Sequence, residues 1–218
     1  MFINIHTHNQ LHDAKLELVN LPIENSERTS YYSYGIHPWF IKDNYEEQLD
    51  RLEEIAKEKR CLAIGECGLD KLCDVNFELQ EKVFKAQVEI ANRIQKPLLI
   101  HCVKSFNELI NCLRFAKNKV PVIIHGYNNN SNIARIMDDE GYYFSFGKAL
   151  LGFESNAARA IKSVSRKKFF LETDDQDLSI KYVYHKASEL LGIDEEFVKQ
   201  QIMSNFKEVF NIDPQTLK

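Results

Sequence analysis

The chain has 218 residues, 44% hydrophobic and 28% charged, with a formal net charge of −4. That length supports one sizeable core, expected as a single domain over 1–218, and the charge balance argues against a broadly basic face that grips long duplex DNA by its phosphates. The N-terminus lacks the basic start and long apolar core of a secretion signal, and no apolar stretch is long enough to span a bilayer, so a cytoplasmic protein without membrane partners is expected.

Short runs rich in β-branched and aromatic residues read as strands. The first, "FINIH" (2–6), leads into His6 and His8, which share one face of an extended chain. "KLELVNL" (15–21) follows after only "NQLHDA", too short for a crossover helix with its loops. "PIENSERTS" (22–30) has room for a turn or two of helix before the third run, "YYSYGIH" (31–37). "NYEEQLDRLEEIAKEK" then places Leu49, Leu52, Ile55 and Ala56 on one helical face.

The fourth strand, "CLAIGE" (61–66), ends at Glu66, and the helix "ELQEKVFKAQVEIANRIQ" leads to the fifth, "PLLIH" (97–101), ending at His101. "SFNELINCLRFAKN" opens with a capping box from Ser105 to Glu108. "VPVIIH" (120–125) ends at His125, and the helix "SNIARIMDDEG" stops at Gly141. "YYFSF" (142–146), a weak helical pattern in "GFESNAARAIKSV", and "KFFLETD" (168–174) ending at Asp174 complete the strands. The tail from Val183 to Asn211 reads as two helices broken near Gly192.

Eight strands mostly separated by helices predict an α/β fold: a distorted (β/α)8 barrel of the TIM type, with its first helices shortened or missing. The five cysteines form no CxxC pair and read as free thiols. Oligomeric state stays open, and a thinly covered flank near Lys15–Ser30 is where another subunit would sit.

His6, His8, Glu66, His101, His125 and Asp174 all fall where a strand passes into its loop. Such ends gather at one face of an α/β barrel, and imidazoles with carboxylates suit zinc, manganese, iron or related ions. Each residue alone has a plainer reading. Asp174 could be a helix N-cap, Glu66 a buried carboxylate with a partner, and His37 or His185 an ordinary loop or core histidine. Six at one class of position favour a metal site. Cys67 and Cys102 point away from their ligand neighbours by strand alternation.

The motifs "IHTH", "GIHPWF", "IGECGLD", "QEKVFKAQVEIANRIQKPLLIH", "IIHG", "YYFSFG" and "FFLETD", in that order, resemble the TatD-type metal-dependent hydrolases of the amidohydrolase superfamily. The resemblance covers nearly the whole chain and implies a barrel with two divalent ions (zinc, manganese, magnesium or iron), acting as a phosphodiesterase; several members are deoxyribonucleases. It implies that His6, His8 and Asp174 hold one ion, that His101 and His125 hold the other, and that Glu66 bridges them. His37 matches a position near the site that is not expected to hold metal. Departures fall around this shell. Asn4 stands where the family has an aspartate, Val103 where it has an arginine, "GYNNN" where it often has "CFSG", and "DQD" after "ETD".

Two ions can acidify a water between them toward neutral pH, and Asp174, beside that water, can take its proton. Glu66 and Asp174 are thus the catalytic candidates. Lys71, Lys104 and Lys148 follow strand ends and could grip a phosphate in place of the missing arginine. Tyr127 and Trp39 could stack on a base. The expected substrate is a phosphodiester, including short or single-stranded DNA. The alternatives are an amidohydrolase-like enzyme on an amide, lactone or small phosphoester, and an inactive metal-binding scaffold.

Overall fold

A computed structural model describes residues 1–21, 30–152 and 154–217. The strands are β1 (Ile3–Thr7), β2 (Leu16–Leu21), β3 (Tyr32–Tyr34), β4 (Cys61–Asp70), β5 (Leu98–Val103), β6 (Val122–Ile124), β7 (Tyr143–Phe146) and β8 (Phe169–Leu171). The helices are α1 (Tyr45–Ala56), α2 (Phe77–Ile94), α3 (Phe106–Phe115), α4 (Ser131–Asp139), α5 (Asn156–Ala160), α6 (Ile180–Leu191) and α7 (Glu195–Phe210). No helix lies between β1 and β2, as "NQLHDA" requires. Most of "PIENSERTS", and with it half of the flank near Lys15–Ser30, lies outside the described residues. Among the described residues no helix is long and apolar enough to cross a membrane.

The chain divides into two compact units, Met1–Val19 with Ile124–Lys218, and Asn20–Ile123. In the first, β1 runs parallel to β2, with Ile3 opposite Leu16 and Thr7 opposite Val19. β7 runs parallel to β8, with Phe144 opposite Phe169 and Phe146 opposite Leu171. The chain leaving β8 returns to β1: Thr7 and Asp174 form a parallel bridge, and Asp174 N donates to His6 O at 3.1 Å. Phe144, Phe146, Phe169, Phe170, Tyr184 and Phe206 fill the core. The buried Tyr184 hydroxyl accepts from Ile3 N at 3.0 Å and donates to Ile3 O at 2.9 Å, so α6 satisfies β1 backbone groups that would otherwise be stranded away from water.

In the second unit β3, β4 and β5 are parallel neighbours. All ten residues of β4 are buried, as expected for a strand covered on both faces. α2 lays Val83, Phe84, Val88 and Ala91 on this layer. It also buries two glutamines that serve strand ends. Gln87 brackets Ile36, accepting from its N at 2.8 Å and donating to its O at 3.0 Å. Gln80 does the same for Asp70, at 2.9 and 3.1 Å.

Two sequence expectations are corrected here. β4 runs on past Glu66 to Asp70, and β5 past His101 to Val103, because Gly68 brings the strands together: a Cβ there would lie 1.9 Å from His101 O. The Ser105–Glu108 capping box does not form. Ser105 Oγ donates instead to Leu69 O at 2.9 Å and Val103 O at 3.1 Å, and Glu108 pairs with Lys71. The other helices follow their expected segments, and Gly192, at φ 61°, separates α6 from α7.

Candidate metal centre

In the first unit β1 delivers His6 fully buried and His8 part-exposed just past the strand end. Both reach one carboxylate oxygen: Asp174 Oδ1 lies 3.3 Å from His6 Nε2 and 3.4 Å from His8 Nε2. The backbone fixes this meeting, since His8 N donates to Asp174 O at 2.9 Å. Asp174 takes a left-handed φ of 55°, which aspartate tolerates better than most residues, and the N-cap of α6 is Ser179 rather than Asp174. The His125 ring lies 4.4 Å from that of His6, and His6, His125 and Asp174 offer donor atoms all within 4.8 Å of one another. The geometry thus groups His125 with His6 and Asp174. Burial pushes the Asp174 carboxyl up, but hydrogen bonds with His6 and His8 and the charge of His6 and His125 outweigh it, so it sits well below the usual carboxylate range.

Behind these residues stands Glu172, fully buried. Its Oε1 accepts from Gly126 N at 2.7 Å and lies 3.5 Å from His125 Nδ1. Asn4 ties β1 to the same segment: its Nδ2 donates to Thr173 Oγ1 at 2.8 Å and its Oδ1 accepts from Thr173 N at 3.1 Å. Thr173 Oγ1 passes its own proton to Thr7 at 3.1 Å. The amide donor at position 4 sets the direction of that chain, and a carboxylate there could not supply it.

In the second unit His37, Glu66 and His101 form another group with donor atoms within 4.8 Å of one another. Glu66 Oε1 lies 2.9 Å from His101 Nδ1 and 3.3 Å from His37 Nε2. His37 caps the short turn Pro38–Phe40, its Nδ1 accepting from Trp39 N at 3.1 Å. That bond puts the imidazole proton on Nε2, facing Glu66, so His37 steadies the carboxylate instead of offering a lone pair there. Asn20 also holds Glu66, its Oδ1 accepting Glu66 N at 2.9 Å and its Nδ2 donating to Oε2 at 3.4 Å. His101 Nε2 faces Asp70 Oδ2 at 3.1 Å.

The sequence reading missed Asp70 and Glu172. Both carried a signal: each stands at even spacing from a candidate ligand, Asp70 from Glu66 in "IGECGLD" and Glu172 from Asp174 in "FFLETD". The proposed substrate residues fare unevenly. Tyr127 is corrected from a stacking residue to a core one: it is 2% exposed, its hydroxyl donates to Asn130 O at 2.9 Å, and its ring packs edge-on to Phe144. Lys71 is engaged by Glu108, and Lys148 Nζ donates to Gln176 at 2.6 Å. Lys104 is exposed, with a left-handed φ of 53°. His185 lies on α6, beside Glu189 at 3.5 Å. The cysteines are free, and burial raises the thiol of Cys67 and pushes that of Cys102 up to about 12, so neither is an activated thiolate.

The family model described as TatD-related DNase matches residues 2–211. An uncharacterized metal-dependent hydrolase of Buchnera aphidicola subsp. Baizongia pistaciae is 29% identical over 202 residues, 85% of this chain and 76% of the relative. Another, from Methanocaldococcus jannaschii, is 27% identical over 188 residues, 80% of this chain and 73% of that one. The crystal structure of YjjV, a TatD homologue from Escherichia coli K12, matches with a TM-score of 0.85 at 19% identity, over 97% of this chain and 98% of that chain. A TatD-family hydrolase from Entamoeba histolytica matches at 0.77 and 15%, over 96% and 97%. At those identities the structural likeness shows the fold, an α/β barrel of the TIM type.

Proposed function

This chain belongs to the TatD-related DNase family, and from that premise we propose that it is a phosphodiesterase that cleaves DNA at short or single-stranded ends. It is a metal-dependent hydrolase. The observation that carries the finer reading is the convergence of His6, His125 and Asp174 donor atoms within 4.8 Å, mounted on rigid strand exits. This donor set of neutral imidazoles and a carboxylate fits a divalent cation such as zinc, manganese, iron or magnesium, and metal availability decides among them.

In this reading His6, His8, His125 and Asp174 serve one ion, and Glu66 with His101 serve a second. Bound divalent ions supply an acidified water and offset charge on the phosphoryl oxygens. The protein's own groups do the rest. Asp174, kept ionised, accepts the proton of the attacking water. Asn20 and His37 hold Glu66 in place. Lys104, which makes no ion pair among the described residues, meets the phosphate; Lys104→Ala then raises KM for a phosphodiester with little change in kcat. Unchanged KM removes Lys104 from the role.

The decisive experiment measures bound metal in the purified protein, then turnover of a generic phosphodiester, end-labelled single-stranded DNA, and an amide and lactone panel. Glu66→Gln and Asp174→Asn are run beside the wild type. Phosphodiester cleavage lost in both variants supports the reading. Turnover confined to carbonyl substrates overturns it, an outcome given some weight by Val103 at the family's arginine position and by the engagement of Lys71 and Lys148. Absence of both metal and turnover leaves a scaffold.

A further inference from the structure

Asp70 has no part in the reading above, yet its carboxylate is heavily committed. It is buried at the end of β4. Oδ1 accepts from Leu72 N at 2.7 Å, and Oδ2 accepts from the indole Nε1 of Trp39 at 2.7 Å. The same Oδ2 faces His101 Nε2 at 3.1 Å. Gln80 clamps the backbone of Asp70 on both its N–H and its C=O. A carboxylate held at so many points can impose its geometry on a neighbouring ring.

His101 therefore stands between two carboxylates, Glu66 at Nδ1 and Asp70 at Nε2. A neutral imidazole carries one N–H and can donate to only one of them. If the proton faces Asp70, Nδ1 presents a lone pair to Glu66 Oε1, and two bare acceptors 2.9 Å apart repel. A divalent cation shared by those two atoms removes the repulsion. Carboxylates that fix the second nitrogen of a metal-bound histidine set its tautomer and orientation in this way.

We propose that Asp70 is a positioning residue for the metal: it holds His101 with its proton on Nε2 and Nδ1 directed to the ion, and it links that ion to Trp39. This rests on the assignment of His101 as a ligand in the proposed function. Trp39 is the chain's single tryptophan. Its ring centroid is 6.2 Å from that of His101 and 5.2 Å from that of His37, and more than half of its surface is open to solvent. Charge arriving at His101 therefore lies within reach of the indole through one hydrogen-bonded carboxylate, so Trp39 emission reports occupancy.

The test uses the full chain stripped with chelator and titrated with zinc against a competing chromophoric chelator, with Trp39 emission read in parallel. Wild-type emission is expected to change in step with zinc uptake. Asp70→Asn is expected to weaken zinc binding about 10–100-fold, with the emission change displaced by the same factor. Trp39→Phe is expected to abolish the signal and leave zinc affinity within about threefold, since Leu72 N still holds Asp70. Should Asp70→Asn fail to fold, the 15N ring shifts of His101 in the zinc-loaded wild type decide alone: a protonated Nε2 and a metal-bound Nδ1 are required. Unchanged affinity in a folded Asp70→Asn, a metal-bound Nε2, or emission blind to zinc uptake overturns the proposal. Zinc binding with the required tautomer but no DNA cleavage counts against the phosphodiesterase reading alone.

Discussion

Gly68→Ala is expected to cost this protein a large share of its stability and to weaken metal binding with it. Gly68 lies opposite His101 in the β4–β5 register, with φ at 143°, a region that side chains avoid. A Cβ there would sit 1.9 Å from His101 O, 2.9 Å from its carbonyl carbon and 3.2 Å from its N. Ordinary contact needs more than 3 Å, so the carbonyl must retreat by roughly 1 Å or more. It is backbone, flanked by Ile100 and Cys102 in the same ladder, so it cannot swing aside as a side chain would. Backbone strain of about 1–3 kcal/mol and overpacking of about 1–3 kcal/mol sum to about 2–6 kcal/mol. That is much of the roughly 5–15 kcal/mol that holds a domain folded. The displaced residue is His101 itself, so zinc affinity falls too. The assay is urea unfolding in chelator followed by zinc titration. Gly192→Ala is the control, because φ is 61° there and nothing lies within 4 Å of its Cβ; it is expected to cost about 1 kcal/mol and to leave zinc affinity alone. A Gly68→Ala protein no less stable than Gly192→Ala would refute the close-approach reasoning.

Asn4→Ala removes two buried bonds to Thr173, beside Asp174, and is expected to cost about 2–3 kcal/mol in urea unfolding. Lys96→Met takes a cation from the carbonyls of Ala56, Glu58 and Cys61 at the end of α1, with an expected loss of about 2 kcal/mol or more by thermal or urea unfolding. The pH dependence follows from Asp174. Its carboxyl is held below its unfolded value of about 3.9, so in chelator its contribution to stability is fully present above that pH and is lost as pH falls toward the folded value. The stability gap between wild type and Asp174→Asn is therefore expected to shrink on acidification below about pH 4, and a gap constant from pH 6 to pH 3 would contradict the His6 and His8 contacts.

Much of this protein is legible in its amino-acid sequence. Apolar runs alternating with amphipathic stretches declare strands and helices because those periods are local. They locate all eight strands of the described residues, and with them the ends near which His6, His8, His125 and Asp174 stand, whereas Glu66 and His101 lie inside β4 and β5. The missing helix after β1 was equally plain, since six residues cannot hold a crossover helix with its loops.

What the linear pattern could not settle was partnership. Whether Ser105 caps α3 depends on carbonyls at Leu69 and Val103 that its Oγ reaches instead. Whether Tyr127 faces a substrate depends on Phe144 and Phe146, which bury it. Where β4 ends depends on how near β5 can come at Gly68. Asp70 and Glu172 were visible as acidic letters, but only their burial beside His101 and His125 marks them as the carboxylates behind those rings. Residue type and period are properties of short stretches of chain. The hydrogen-bond partner of a buried polar atom belongs to segments far apart in sequence, and only the tertiary structure decides it.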